Sequence, residues 1–251
     1  MQADTLAYLD SVANASDLAE VWNMLCDKLA RFGFDRLIYG YNRFGTETSF
    51  GPWQDALILS NLEESYLKTF IEGEYYLHAP LTQWAIHNTG ARSWDYLDEA
   101  YKALDPCQRK VVDWNMANGL TAGYSISFPH ASPRTRAALS MGARAGLSQQ
   151  AVNAIWARHG QEIQVIANMT HLKIISLPNL NERTRLSRRQ QEVLNWVAEG
   201  KTNQDIATIL GVTPATVEKH LRLVREKLNV DTTAQAVLKA AFWNQVFVLK
   251  G

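Results

Sequence analysis

The sequence predicts an α+β front half, an antiparallel sheet covered by helices, followed by an all-α unit of four helices. Three observations carry this. Segments with strand character at 36–42, 56–60, 122–128 and 136–143 neighbour one another while helical patterns precede, separate and follow them, the order expected of an antiparallel sheet packed under helices. From 186 onward only helical patterns occur, each with its own start signal. The charge divides at the same place. Residues 179–251 carry eleven Lys/Arg against seven Asp/Glu, and residues 1–178 carry fourteen against eighteen, so a net charge of zero hides a basic tail and an acidic front. Such an imbalance prompts a search for nucleic-acid binding at the back.

Composition bounds the class. An apolar share of 47% with only seven prolines suits a folded chain with a sizeable core. No run approaches the ~18–20 apolar residues of a membrane span. The first residues, "MQADTLAYLD", lack a basic, apolar signal, so a cytoplasmic protein without membrane contact is expected. Cys26 and Cys107 have no metal-ligand spacing and form no disulfide framework, and are expected as two buried thiols. No metal, no cofactor and no catalytic residues are expected: neither a nucleophile–base arrangement nor a Gly-rich phosphate loop occurs.

In chain order, Ser16 is expected to cap a helix that runs to about Phe32, with Leu18, Val21, Trp22, Leu25 and Leu29 on one face and Gly33 past its end. After the strands 36–42 and 56–60 come helices at about 63–73, 80–88 and 106–118, then the strands 122–128 and 136–143. Three/four spacing of Val152, Ile155, Trp156, His159, Ile163, Ile166 and Met169 predicts one long helix from Ser148 to about 175. "SLPNLNERTR", 176–185, interrupts two helical patterns with Pro178, and reads as a linker between domains at 1–175 and 186–251.

In the tail, Ser187 and Gln190 form a capping box before a helix ending at Gly200. Thr202 and Asp205 form a second box before "IATILG". Thr213 caps a third helix with Pro214 at its first position, and Thr232 with Gln235 opens a fourth. The second helix, the turn "GVT" and the third make a helix-turn-helix. On the third helix, Val217, Leu221, Val224 and Leu228 point inward. Lys219 and Arg222 lie opposite, with Thr216 and Arg225 on the flanks. That distribution suits a major groove, where Arg or Lys pairs with guanine O6/N7 and Thr or a helix N-terminus holds phosphate. Surface Lys and Arg more commonly form a plain solvated face, but here they sit on a helix at helix-turn-helix spacing. Base contacts are therefore expected from Lys219 and Arg222, and phosphate contacts from Thr202, Asn203, Thr216 and Arg225.

The stretch "LSRRQQEVLNWVAEGKTNQDIATILGVTPATVEKHLRLVREKLNV" resembles the GerE-type DNA-binding domain of the LuxR family of transcription factors, through Leu194, Gly200, "TNQDIA", "TVEKHL" and "KL". Gln190 stands where that family usually has Glu. The front shows no acid cluster of a phosphorylated receiver. It is similar over most of 15–172 to the autoinducer-binding domain of quorum-sensing LuxR proteins, through "FGFDRLIYGYN", "NLEESYLKTF", "HAP", "GARSW", "NGLTAGYSISFP" and "AALSM". The resemblance implies an α-β-α sandwich that binds N-acyl homoserine lactones between the sheet and one helical layer. It also implies a homodimer on a palindromic double-stranded DNA site, with RNA polymerase as a further partner.

The family places a Trp, a Tyr four residues on, an Asp nine later and a Trp fifteen after that; those positions here are Tyr66, Phe70, Ala79 and Trp94. In the family the Asp accepts the ligand amide N–H, the first Trp donates to the lactone carbonyl and the Tyr hydroxyl contacts the acyl carbonyl. Ala79 offers no side-chain acceptor and Phe70 no hydroxyl. An unpaired buried amide costs roughly 1–3 kcal/mol. A small, mostly apolar signal other than a standard N-acyl homoserine lactone is therefore expected, contacted by Tyr39, Tyr41, Leu62, Tyr66, Phe70, Tyr76, Trp94 and Ser140. Three alternatives stay open: a self-filled, ligand-independent pocket, a lactone receptor in which His78, Ser140 or water replaces the acid, and a front that holds a redox or light-sensing cofactor. Trp84 reads as core.

Overall fold

The computed structural model describes residues 2–130, 132–178 and 184–247. The chain divides into two compact units, Met1–Ile174 and Ile175–Gly251.

The first unit opens with α1 (Gln2–Asn14), which the sequence pattern did not announce. Its buried apolar side chains, Tyr8 and Val12, are few. It is tied down by long-range polar contacts instead: Asp4 to the buried Lys28 at 2.5 Å and the Tyr8 hydroxyl to Thr170 Oγ1 at 2.7 Å. The next helix, α2 (Leu18–Ala30), is capped by Asp17 rather than Ser16, because the Asp17 carboxylate accepts from the Glu20 N–H. A charged acceptor at a helix N-terminus also meets the favourable end of the helix dipole.

There follow β1 (Phe34–Asn42), β2 (Leu57–Ser60), α3 (Glu64–Glu72), α4 (Tyr75–His78) and α5 (Pro80–His87). Then come β3 (Gly90–Ser93), α6 (Asp95–Ala100), α7 (Pro106–Ala117), β4 (Gly123–Ser127), β5 (Arg136–Ala143) and the long α8 (Gln149–Ser176). The five strands form one sheet in the order β2-β1-β5-β4-β3, antiparallel throughout. The edge strand β3 is four residues long and holds no β-branched residue, so its sequence carried no strand signal.

Strand alternation sorts the two faces. Leu37, Tyr39, Leu139 and Met141 form a buried layer, in which the Tyr39 hydroxyl meets His171 Nδ1 of α8 at 2.8 Å. The Tyr124 ring stacks on Trp156 of the same helix at 4.1 Å. On the other face Ile38 and Ile58 pack with Tyr66, Phe70, Ile71, Ala79 and Val111, from α3, α5 and α7 with their connections. Helices thus cover both faces, as an α-β-α sandwich requires. Cys107, expected inside, is exposed. It follows Pro106 in the first turn of α7, on the solvent side, while Cys26 is half-buried and its thiol is pushed up to about 11 by burial.

The second unit contains α9 (Arg188–Ala198), α10 (Asn203–Leu210), α11 (Pro214–Leu228) and α12 (Thr233–Phe242). Ser187 with Gln190, Thr202 with Asp205 and Thr232 with Gln235 each close a capping box, and Thr213 caps α11. Gly211 ends α10 at φ +64, a backbone geometry that side chains resist. Leu194, Ile206, Val217, Leu221, Val224 and Leu228 meet in a core with Trp243. Within this unit Asn244 donates to the carbonyls of Ile175 and Leu177, and Gln245 bridges Thr184 O and Leu186 N–H. The middle of the expected linker, 179–183, lies outside the described residues, as do 248–251. Among the described residues no helix is long and apolar enough to cross a membrane.

Candidate ligand pocket and nucleic-acid interface

Between the sheet and the layer of α3, α5 and α7 lie two adjoining cavities, of about 90 and 80 Å³. Both are bordered by Ile38, Phe70, Leu81, Thr82 and Ser140, so they are two lobes that share a wall. The first lobe is walled by Phe50, Trp53, Ile58, Ile71 and Tyr76. The second, beside Leu62, Tyr66, Ala79 and Trp94, brings polar groups as well: Arg36, Asp98, Asn115 and Gln149.

Backbone geometry places Trp94. Its N–H donates to the Gly123 carbonyl at 3.1 Å, and its indole lies against the Gly123 Cα, where an added Cβ would stand 2.9 Å from the ring. From there the indole Nε1–H donates to Ser125 Oγ at 3.0 Å, and Ser125 Oγ is 2.9 Å from Ser140 Oγ. Strand register makes this chain, because Ser125 on β4 stands opposite Ser140 on β5. The three groups own three donor hydrogens, and the two bonds among them use two. One hydroxyl hydrogen is left to donate into the pocket that both serines border. Thr82 adds a second hydroxyl at both lobes.

An aromatic wall closes the helical side. Tyr66 stacks on Trp114 at 4.5 Å and on Phe70 at 5.8 Å, and the Tyr66 hydroxyl donates to Asn115 Oδ1 at 2.9 Å. Burial pushes the Tyr66 phenol well above its usual range, so it stays a neutral donor already engaged with Asn115. Sequence reasoning missed Trp53 and Asn115 at the pocket, and Trp114, which borders neither lobe and backs Tyr66. Spacing within α7 sets Trp114 on the same side as the buried Val111, a signal available in the sequence.

The expected ligand-contact residues border the pocket with one exception. Leu62, Tyr66, Phe70, Tyr76, Trp94 and Ser140 all line it. Tyr39 borders the first lobe, yet its hydroxyl is bonded to His171. Tyr41 is the correction. It shares a strand face with Tyr39, lies edge-on to His171 at 6.1 Å and accepts from Arg43 Nε, on the face opposite Ile38 and Gly40. His78 is exposed and borders neither lobe, whereas Ser140 lines both. Ala79 is 6% exposed at the second lobe, so no side-chain acceptor stands there. Among the described residues no group of three His, Cys, Asp or Glu could hold a metal ion.

The second unit presents the other surface. On α11 the buried stripe Val217, Leu221, Val224 and Leu228 turns the remaining faces outward. Arg222 is paired with Glu226 at 2.6 Å. Arg225 donates to Glu218 Oε1 at 2.9 Å and to Thr233 Oγ1 at 2.9 Å, and Asn203 Nδ2 at the start of α10 donates to Glu218 Oε2 at 3.2 Å. Asn203 and Arg225, expected separately as phosphate contacts, are thus joined through Glu218, which sequence reasoning passed over. Thr202 is occupied in its capping box with Asp205, and Thr216 Oγ1 is 3.0 Å from Thr213 Oγ1 on the other flank of α11. Lys219 is exposed.

Residues 17–174 match the autoinducer binding domain family and residues 184–240 match the luxR family of bacterial regulatory proteins, the GerE domain. The transcriptional activator protein AnoR of Acinetobacter nosocomialis is 28% identical over 249 residues, covering 95% of this chain and 96% of AnoR. The quorum sensing-dependent transcriptional regulator RpaR of Rhodopseudomonas palustris is 33% identical over 136 residues, 54% of this chain and 53% of its own. Among solved structures, SdiA of Escherichia coli aligns with TM-score 0.56 at 17% identity over 97% of this chain and 98% of SdiA. SdiA has also been solved in complex with octanoyl-rac-glycerol (TM-score 0.52, 19% identity, 96% of this chain and 94% of that one).

Proposed function

This chain belongs to the LuxR family of bacterial regulatory proteins that join an autoinducer-binding domain to a GerE helix-turn-helix, and from that premise we propose a dimeric, ligand-responsive transcription regulator whose signal is a small, mostly apolar molecule that offers a carbonyl and needs no amide N–H. One observation carries the ligand class: the Trp94–Ser125–Ser140 chain leaves a single hydroxyl donor facing a pocket in which the position expected to hold a carboxylate is Ala79. In the first lobe, whose lining holds no carboxylate or side-chain amide, such a donor matches an ester, ketone or lactone carbonyl. Leaving a buried ligand amide unpaired costs roughly 1–3 kcal/mol, so an acyl amide is disfavoured.

Size narrows the choice. Lobes of about 90 and 80 Å³ are small beside the ~300–1,000 Å³ of pockets for drug-sized ligands, which favours a compact signal. On binding, such a signal completes the core under the sheet and stabilises the folded front unit by mass action. Two copies then place their α11 helices in successive major grooves of a palindromic site, with Lys219 and Arg222 toward base edges and Asn203 and Arg225 toward phosphates.

A second reading has its own observation. Asp98 borders the second lobe together with Ala79, Tyr66 and Trp94. Its carboxylate could take the amide N–H of an N-acyl homoserine lactone from another side of the lobe.

Native mass spectrometry of protein expressed in cells that make no homoserine lactone separates these readings. The additions are N-acyl homoserine lactones and monoacylglycerols of matched chain length. A stoichiometric gain with the amide-free compounds, weak with the lactones, is the expected result. A gain with lactones alone, abolished by Asp98→Ala, establishes the second reading instead. An intact dimer that gains nothing and still binds DNA means a self-filled pocket and removes both.

A further inference from the structure

We propose that Glu218 is a specificity-determining residue of the DNA-reading surface, its carboxylate accepting a hydrogen bond from the exocyclic amino group of a cytosine in each half-site. The inference rests on the DNA-reading role assigned to α11.

Glu218 lies in the second turn of α11, the part of a recognition helix that meets base edges. Its side chain is 52% exposed. One oxygen takes Arg225 Nη2 and the other takes Asn203 Nδ2, so the carboxylate is fixed in space between the starts of α10 and α12, where Arg225 also reaches Thr233. Arg225 holds this carboxyl below its usual range, so it is an anion at neutral pH. Each oxygen keeps a further lone pair after these bonds. Four residues along, on the same outward side, stands Arg222.

An anion on this surface constrains the DNA. Phosphates repel it, so its free lone pairs need a donor on a base edge. The major groove offers two, cytosine N4 and adenine N6. Adenine sets the N7 acceptor beside N6, where a carboxylate is repelled. Cytosine has no acceptor of its own there. Its pairing with Asn203 and Arg225 neutralises part of the carboxylate's charge and leaves the orientation set before DNA arrives, so little is lost in ordering it. A cytosine read by Glu218 close to a guanine read by Arg222 is the resulting signature of the half-site.

The test is selection of binding sites from a randomised duplex pool by the full-length protein at low salt, with wild type, E218A and E218Q run in parallel. Affinities are then measured for the wild-type consensus and for versions with each cytosine replaced. Wild type is expected to enrich a palindrome with one cytosine per half-site whose replacement costs about tenfold in affinity. E218A is expected to lose the preference in that column and keep the others. E218Q, which retains an acceptor without charge, is expected to keep a weakened one. Cytosine dependence that persists in E218A overturns the proposal, as does a uniform loss across all sequences, which would make Glu218 only a support for Arg225 and Asn203. A wild type that enriches no sequence overturns the DNA-reading role itself, and this inference with it.

Discussion

The Tyr39 hydroxyl and His171 Nδ1 stand 2.8 Å apart beneath the sheet, with the imidazole stacked on Phe128 at 4.3 Å. Burial lowers the His171 pKa to about 4 from the ordinary 6.5. The folded state therefore holds a neutral ring that the unfolded chain would protonate in mild acid. The unfolded state binds more protons between these values, so stability is full above about pH 6.5 and falls as pH drops toward 4. The shift corresponds to about 3 kcal/mol at its limit. Urea melts of wild type and His171→Gln at pH 7.5 and 5 check it. The wild type is expected to lose stability between them more steeply than the variant, and equal losses would assign the acid sensitivity elsewhere.

Replacing Ser125 and Ser140 together by alanine removes both hydroxyls of the chain, whereas Ser140→Ala alone would free the Ser125 hydrogen to donate in its place. A net hydrogen bond is worth about 1 kcal/mol, so ligand affinity is expected to fall about fivefold while the fold stays intact. Titration calorimetry with whichever compound the mass spectra identify measures this. Unchanged affinity would place the ligand carbonyl away from the serines.

Leu194 is fully buried at the centre of the second unit. Leu194→Ala is expected to destabilise that unit by about 2–5 kcal/mol, the range for a buried leucine replaced by alanine. Loss of DNA binding with ligand binding retained would follow from two separately packed units. Parallel loss of ligand binding would show the front core to depend on the tail. Thermal melts read at the two aromatic populations report the two losses.

Arg222→Ala opens the Arg222–Glu226 pair and removes the proposed guanine donor. The expected cost is about 1–3 kcal/mol on the selected site and little on random duplex. Equal loss on both would reduce Arg222 to a phosphate contact. Fluorescence anisotropy at two salt concentrations distinguishes these, because a phosphate contact also lowers the salt slope.

How much was legible depends on the range of the interactions. The capping boxes at Ser187–Gln190, Thr202–Asp205 and Thr232–Gln235 were readable because both partners lie three residues apart. The stripe Val217, Leu221, Val224 and Leu228 was readable because helical period fixes a shared face. The same locality explains the misplaced cap at Ser16, where Asp17 one residue on is the stronger acceptor, and the silence over β3.

By itself, then, the sequence determined the helix boundaries of the tail, the strand-bearing character of the front and the lack of a side-chain acceptor at Ala79. It could also say that Tyr39 and Tyr41 share a face, since alternation is a property of the strand. Only tertiary structure decided that this face meets His171, because both faces of β1 are covered and either could have held the pocket. Register across fifteen residues set Ser125 beside Ser140, and the missing Cβ of Gly123 let Trp94 reach them. The close approach of α10 and α11 put one carboxylate between Asn203 and Arg225. Each of these joins residues distant in the chain, and the free energy that holds them belongs to packing, which no local pattern records.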